Sequence, residues 1–167
     1  MKTKFKILMA SLMMAGIIVV NTSFADYEYW DYIPVFMKRA DLEKSVSWQS
    51  GGRDLENPGK IYYKSPYIFV NERYKGVHVI NNSDPYKPVK EGFIVAPGCI
   101  DIAVKGNMMY LDNSVDLVAV DLNTKQVTSR IRNVFPEPSS PENQVFYDYG
   151  ELRDPDLILV AWKKNFK

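Results

Sequence analysis

Three pairs of acidic residues in polar, turn-forming stretches carry the most enzyme-like chemistry in this sequence. The pairs are Asp54 with Glu56, Asp112 with Asp116, and Asp154 with Asp156. Two carboxyl groups held about 5–10 Å apart can serve as acid and base on a glycosidic bond. Acidic residues in turns mostly solvate the turn instead, so these pairs support a glycan-acting hydrolase only as an alternative interpretation.

Metal and nucleophile chemistry is restricted because the chain has one histidine, His78, and one cysteine, Cys99. A zinc site with the usual nitrogen and sulfur ligands is therefore not expected. DNSVD (112–116) and NNSD (81–84) lack the glycine and final glutamate of an EF-hand calcium loop. No nucleophile signature surrounds any serine, which leaves a catalytic dyad or triad without support. The sequence predicts no catalytic residue, no metal and no cofactor.

His78 and Cys99 both have structural interpretations. In GVHVIN, His78 alternates with two valines, which predicts a packed or hydrogen-bonded strand residue that points away from them. The neighbours of Cys99 in APGCIDIAV are largely apolar, which predicts a buried and unreactive thiol.

The better candidates for recognition lie in two loops, NERYKG (71–76) and DNSVD (112–116). Loops on a rigid β scaffold commonly carry binding residues, and Arg and Tyr are enriched at binding hot spots. NERYKG is expected to expose its polar side chains. The weak binding candidates are Glu72, Arg73, Tyr74, Asp112 and Asp116.

The first 25 residues have the layout of a secretory signal peptide. Three lysines precede an apolar run from Ile7 to Val20, and Ser23-Phe24-Ala25 gives a small-residue cleavage pattern. Cleavage near Ala25 predicts a secreted or periplasmic protein with no stable membrane span. Removing the segment lowers the formal charge from +1 to −2, which argues against a nucleic-acid partner.

A four-strand pattern occurs twice after Lys60. Short apolar runs rich in Ile, Val, Tyr and Phe alternate with turn formers, first over residues 60–98 and then over 99–135. VHVI (77–80) and LVAV (117–120) are 40 residues apart, whereas Lys64 and Lys105 are 41 apart. One residue is therefore lost between NERYKG and DNSVD. A period near 40 with four short strands is typical of a β-propeller blade.

The remaining segments flank the two repeats. Residues 26–59 are predicted to form an N-terminal strap or strand, a short helix over MKRADLEKSV (37–46) and a loop over 49–59. Residues 136–167 are predicted to hold a Pro- and Ser-rich linker and two strands, at 145–149 and 157–162.

The repeats PGKIYYKSPYIFVNERYKGVHVINNSDPYKPV and PGCIDIAVKGNMMYLDNSVDLVAVDL resemble those of the LVIVD-repeat proteins, with LVAVD (117–121) matching the phrase that names the family. The resemblance covers residues 58–135 and implies exported, propeller-like repeat proteins of unestablished activity. It supplies no catalytic residues. Two repeats are few, and no lipid-attachment cysteine lies near the cleavage site.

The predicted fold is all-β, with propeller-like blades of four short antiparallel strands, in an incomplete or short propeller with one short N-terminal helix. The expected function is that of a non-catalytic binding or scaffolding module in the bacterial envelope. A protein or surface glycan is the expected partner, and self-association would complete the sheet stack. Besides the hydrolase, the alternative is a degenerate fragment of a larger propeller with no independent role.

Overall fold

The computed structural model describes residues 31–141 and 153–165, within which the fold is almost entirely β. One short helix, α1, spans Arg39–Leu42. The strands are β1 (Tyr32–Lys38), β2 (Ser47–Ser50), β3 (Pro58–Lys64), β4 (Tyr67–Glu72), β5 (Gly76–Asn81), β6 (Val89–Val95), β7 (Ile102–Lys105), β8 (Met108–Asn113), β9 (Asp116–Asp121), β10 (Gln126–Ile131) and β11 (Leu157–Lys164).

The strands form three antiparallel sheets. Strands β3 to β6 form a meander, which we call blade 1, and β2 extends its outer edge to give the order β2-β6-β5-β4-β3. Strands β7 to β10 form a second meander, blade 2, in the order β10-β9-β8-β7. The predicted all-β, blade-like fold is confirmed. The predicted loop at 49–59 is wrong at both ends, because β2 continues to Ser50 and β3 begins at Pro58.

The two blades correspond strand by strand. The β4 and β8 strands begin 41 residues apart, and β5 and β9 begin 40 apart. The lost residue lies in the turn between the second and third strands, which has three residues in blade 1 and two in blade 2. Tyr74 and Ser114 adopt positive φ angles of 63° and 58° in these turns. The repeat read from the sequence is therefore a repeat of structure.

The blades stack face to face, and the main core lies between them. Because side chains alternate along a strand, each blade has two faces. One face of blade 1 packs through Phe69, Val77 and Val79 against blade 2. The side chains of blade 2 that complete this cluster are Ile102, Val104, Met109, Leu111, Val118 and Val120. Their counterparts in blade 1 lie on the face of that blade that points away from blade 2. The two blades therefore have the same orientation and stack head to tail.

The third sheet pairs the two ends of the described chain, β1 with β11. The N-terminal strap is thus a strand, and the predicted strand at 157–162 lies within β11. The predicted helix at 37–46 is much shorter, because Met37 and Lys38 end β1 and the helix stops at Leu42. Leu42, which is fully buried, anchors it.

Two expectations, the signal peptide at 1–25 and the strand at 145–149, lie outside the described residues. Within the described residues, no helix has the length and apolar character needed to cross a bilayer.

Candidate functional site

An apolar surface is left open at the blade 1 end of the stack. We call it the leading face. It consists of Ile61, Tyr63, Ile68 and Ile80. Ile61 and Tyr63 are 70% and 62% exposed, while their counterparts in blade 2, Ile102 and Val104, are only 9% and 8% exposed. Blade 1 covers these positions in blade 2, whereas no third blade covers the leading face within the described chain.

The loop at 51–57 covers only the other half of the same surface. Phe93 lies on the same side of blade 1 and is buried. The guanidinium carbon of Arg53 lies 4.4 Å from the centroid of its ring. The backbone N–H groups of Glu56 and Asn57 donate to the Glu72 carboxylate. The open half of the surface is therefore the half that carries Ile61 and Tyr63.

A cleft of about 450 Å³ lies on the far side of blade 2, at the other end of the stack. We call it the trailing cleft. Tyr110 and Leu117 belong to the blade 2 face that corresponds to the packed face of blade 1, and Tyr110 is 37% exposed. The lining residues are Ile100, Asp101, Ile102, Ala103, Tyr110, Leu111, Asp112, Ser114, Leu117, Phe135, Pro136, Glu137, Pro138 and Ser139.

The chain that leaves blade 2 explains why the cleft exists. After blade 1, the chain is held to the turn between β4 and β5. The Gly98 N–H donates to the Tyr74 carbonyl, and the Ala96 N–H donates to the Lys75 carbonyl. After blade 2, Val134 and Phe135 likewise donate to the carbonyl of a turn residue, Val115. The first path continues into strand β7, but the second runs into the prolines of PEPSSP (136–141), which cannot donate to a sheet. This segment therefore forms no further blade strand within the described residues, and residues 135–139 line one wall of the cleft.

Glu72 is buried and is not the exposed loop residue that was expected. It is 2% exposed and accepts a hydrogen bond from the Glu56 N–H at 3.1 Å. His78 Nε2 lies 3.1 Å from the same carboxylate oxygen. Burial raises the pKa of Glu72, but hydrogen bonds from the Asn57 N–H, His78 and the Glu56 N–H outweigh burial and lower it overall. The prediction that His78 is a packed, hydrogen-bonded strand residue is confirmed.

Asp116 is also buried rather than exposed in a loop, and it holds α1 to blade 2. It is 0% exposed, and both of its oxygens lie 2.8 Å from Arg39 Nη1. Arg130 Nη1 lies 2.8 Å from Oδ2, and the Asn133 N–H donates to Oδ1 at 3.1 Å. Burial raises the pKa of Asp116, but the Arg39, Asn133 and Arg130 hydrogen bonds outweigh burial and lower it overall.

Asp112 fixes the start of blade 2 and lies beside Cys99. Its Oδ1 accepts hydrogen bonds at 2.9 Å from the N–H groups of both Ile100 and Asp101. Burial raises the pKa of Asp112 above its ordinary value despite these bonds. Burial, with the Asp112 charge, raises the pKa of the Cys99 thiol well above its ordinary value. The prediction of a buried thiol is confirmed, since Cys99 is 0% exposed.

The carboxylate pairs proposed for a hydrolase have other partners. Asp116 is enclosed by arginines, and Asp154 accepts the N–H of Asp156 in a turn. Asp54 and Glu56 do share a pocket with Glu72 and His78, but its volume is about 150 Å³, below the roughly 300–1,000 Å³ usual for ligand sites. Within the described residues, no group of three or more His, Cys, Asp or Glu side chains is placed to hold a metal ion.

The remaining loop candidates lie in the turn between β4 and β5. Arg73 is exposed and Tyr74 is half-buried, and both line a shallow pocket with Gly59, Lys60 and Ile100. Sequence reasoning missed the two end surfaces. The signal was present in the repeat itself, because Ile61 and Tyr63 occupy the same positions as Ile102 and Val104 but have no earlier blade to cover them.

No family model, no curated protein and no solved structure matches this chain.

Proposed function

We propose that this chain is an exported, non-catalytic β-repeat protein that acts as a binding or scaffolding module in the bacterial envelope. The observation that carries the proposal is the trailing cleft, a mainly apolar surface that a few polar side chains also line. Ligand and partner sites typically combine these features. The resemblance to LVIVD-repeat proteins favours export and propeller-like repeats and leaves the activity open.

The placement of the titratable residues favours binding over hydrolysis. Glu72, Asp112 and Asp116 each accept hydrogen bonds from backbone N–H groups that hold the chain in place. These three carboxylates stabilise the blades and their connections. The surfaces left for a partner are mainly apolar, which suits recognition of a protein surface better than acid–base chemistry.

Photo-crosslinking from within the trailing cleft tests the proposal. The chain would be expressed in its source organism with a benzophenone amino acid in place of Tyr110. A second variant would carry the same group at Tyr86, which is 95% exposed and does not line the cleft. We expect irradiation to attach a discrete partner to the first variant and not to the second, and mass spectrometry would identify the adduct.

Equal labelling at both positions, or no adduct at Tyr110, would contradict a binding role for the cleft. An unfolded chain, judged by circular dichroism of the purified protein, would instead favour the degenerate-fragment alternative. The same preparation tests export, because the proposed cleavage predicts Asp26 as the first residue of the mature protein.

A further inference from the structure

We infer that the trailing cleft of one chain binds the leading face of a second copy, so that two chains close into a head-to-tail dimer. This inference rests on the proposed binding role of the cleft and names its occupant. It follows from the way the two blades already pack inside one chain.

The junction between the blades shows what each end surface is shaped to meet. Within the chain, the face of blade 1 that carries Phe69 and Val77 covers Ile102 and Val104 of blade 2. In blade 2, Tyr110 and Leu117 occupy the positions of Phe69 and Val77. In a second copy, Ile61 and Tyr63 occupy the positions of Ile102 and Val104. The leading face therefore has the register and the apolar character of the surface that would cover the trailing cleft.

The charges at the internal junction also transfer to the proposed one. Lys60 of β3 pairs with Asp101, which precedes β7, and these two positions correspond to each other in the repeat. At the junction between copies, Asp101 takes the place of Lys60, and Lys60 of the other chain takes the place of Asp101. The pair reverses its polarity and stays complementary, so opposite charges meet at this position.

One further contact of the internal junction favours the same arrangement. Lys64 donates to the carbonyl of Gly106 at the turn after β7. Lys105 is the blade 2 counterpart of Lys64 and is exposed. In the second copy, the carbonyl that corresponds to Gly106 is that of Ser65, which lies in the exposed turn after β3.

Closure as a dimer follows from the number of blades. Closed propellers usually have about 4–8 blades, and the described residues of one chain contain only blades 1 and 2. Two copies related by a twofold axis would supply four blades and would bury both leading faces in both clefts. A head-to-tail contact that closes on itself leaves no open end to polymerise.

Three matched tyrosine substitutions test the inference in the full-length mature protein. Tyr63→Asp changes the leading face, Tyr110→Asp the trailing cleft, and Tyr86→Asp an exposed loop outside both. Light scattering after size-exclusion chromatography would give the mass of each. We expect dimers for the native protein and Tyr86→Asp. For each of the other two variants, we expect the dissociation constant of the dimer to rise at least about tenfold, because the substitution places an unpaired carboxylate in both junctions.

Mixing the two weakened variants distinguishes head-to-tail contact from other arrangements. A mixture of Tyr63→Asp and Tyr110→Asp retains one junction with both native surfaces, so we expect it to recover a mixed dimer. Circular dichroism would verify that each variant is folded, and Ile61→Asp provides a second leading-face variant should Tyr63→Asp unfold.

Three results would overturn the inference. The first is a native protein that stays monomeric at its highest soluble concentration. The second is a Tyr110→Asp variant that dimerises like the native protein, which would mean that leading faces meet each other. The third is growth into open polymers. A monomer whose Tyr110 variant still crosslinks to a different protein would leave the proposed function standing and remove only this inference.

Discussion

Replacing Asp116 with asparagine tests whether the structure places charges where stability depends on them. The substitution keeps the size of the side chain and one oxygen that can accept hydrogen bonds. It removes the negative charge that faces Arg39 and Arg130, whose side chains are 19% and 13% exposed. Two partly buried guanidinium groups are then left without their counter-charge.

Removing one member of a buried ion pair typically costs about 3–5 kcal/mol, because the remaining charge stays desolvated. We expect Asp116→Asn to lie near the lower end, at about 3 kcal/mol, since both arginines keep some access to water. That is a large share of a domain stability of roughly 5–15 kcal/mol. Asp54→Asn is the matched control, because the Asp54 side chain is 99% exposed and lies 3.6 Å from Lys90. No measurable change is expected there.

Urea unfolding followed by tryptophan fluorescence would measure both variants, since Trp162 is buried in the β1–β11 sheet and Trp48 packs against the main core. The pH dependence gives a second readout. The pKa of Asp116 is lowered in the folded protein, so its contribution is present above the unfolded pKa of about 3.9 and is lost as the pH falls through the folded pKa. The difference in unfolding free energy between the native protein and Asp116→Asn should therefore be largest at neutral pH and shrink below about pH 4.

An Asp116→Asn variant as stable as the native protein at neutral pH would refute this role of the charge. So would a difference in unfolding free energy that is as large at pH 3 as at pH 7. The second result would mean that packing, and not the charge on Asp116, causes the loss.

Three further outcomes are expected. Gly76→Ala should lower the unfolding free energy by at least about 4 kcal/mol, because a Cβ there would lie 1.9 Å from the Ile94 carbonyl oxygen. Gly106→Ala, where a Cβ meets open space, should lower it by about 1–2 kcal/mol in the same urea titration. Leu42→Ala should cost about 2–5 kcal/mol, because its side chain is fully buried. The Cys99 thiol should react with a disulfide reagent only as fast as the protein unfolds, since it is buried and its pKa is raised; rapid labelling of folded protein would contradict its placement.

The sequence predicts the blades well because their signal is local. Alternating apolar residues and turn formers define eight strands, and the change in offset from 41 to 40 locates the shorter turn of blade 2 at Ser114 and Val115. Strand β2 was missed because SWQS has little apolar character and gains its place by pairing with β6. The helix was predicted too long because Met37 and Lys38 pair with Ile158 and Leu157 of β11, a partner more than 100 residues away.

The surroundings of the candidate site residues were harder to predict, because burial depends on distant partners. Glu72 and Asp116 look like turn residues in the sequence, yet one is covered by the loop at 51–57 and the other by Arg39 and Arg130. Arg39 is 77 positions from its partner. No local pattern reports such a contact.

The positions at which the repeats differ show how each blade is fixed to its surroundings. Gly76 pairs with Val95 of β6, so a side chain there would meet the backbone of the next strand. Its counterpart in blade 2, Asp116, lies one position beyond the last β9–β10 pair, that of Leu117 with Ile131. The shorter pairing leaves room for a carboxylate. That carboxylate then accepts the Asn133 N–H and binds Arg39, joining the blade to the helix that follows β1. The positions that match across the repeats stack the blades on one another, whereas this divergent position attaches blade 2 to the rest of the chain.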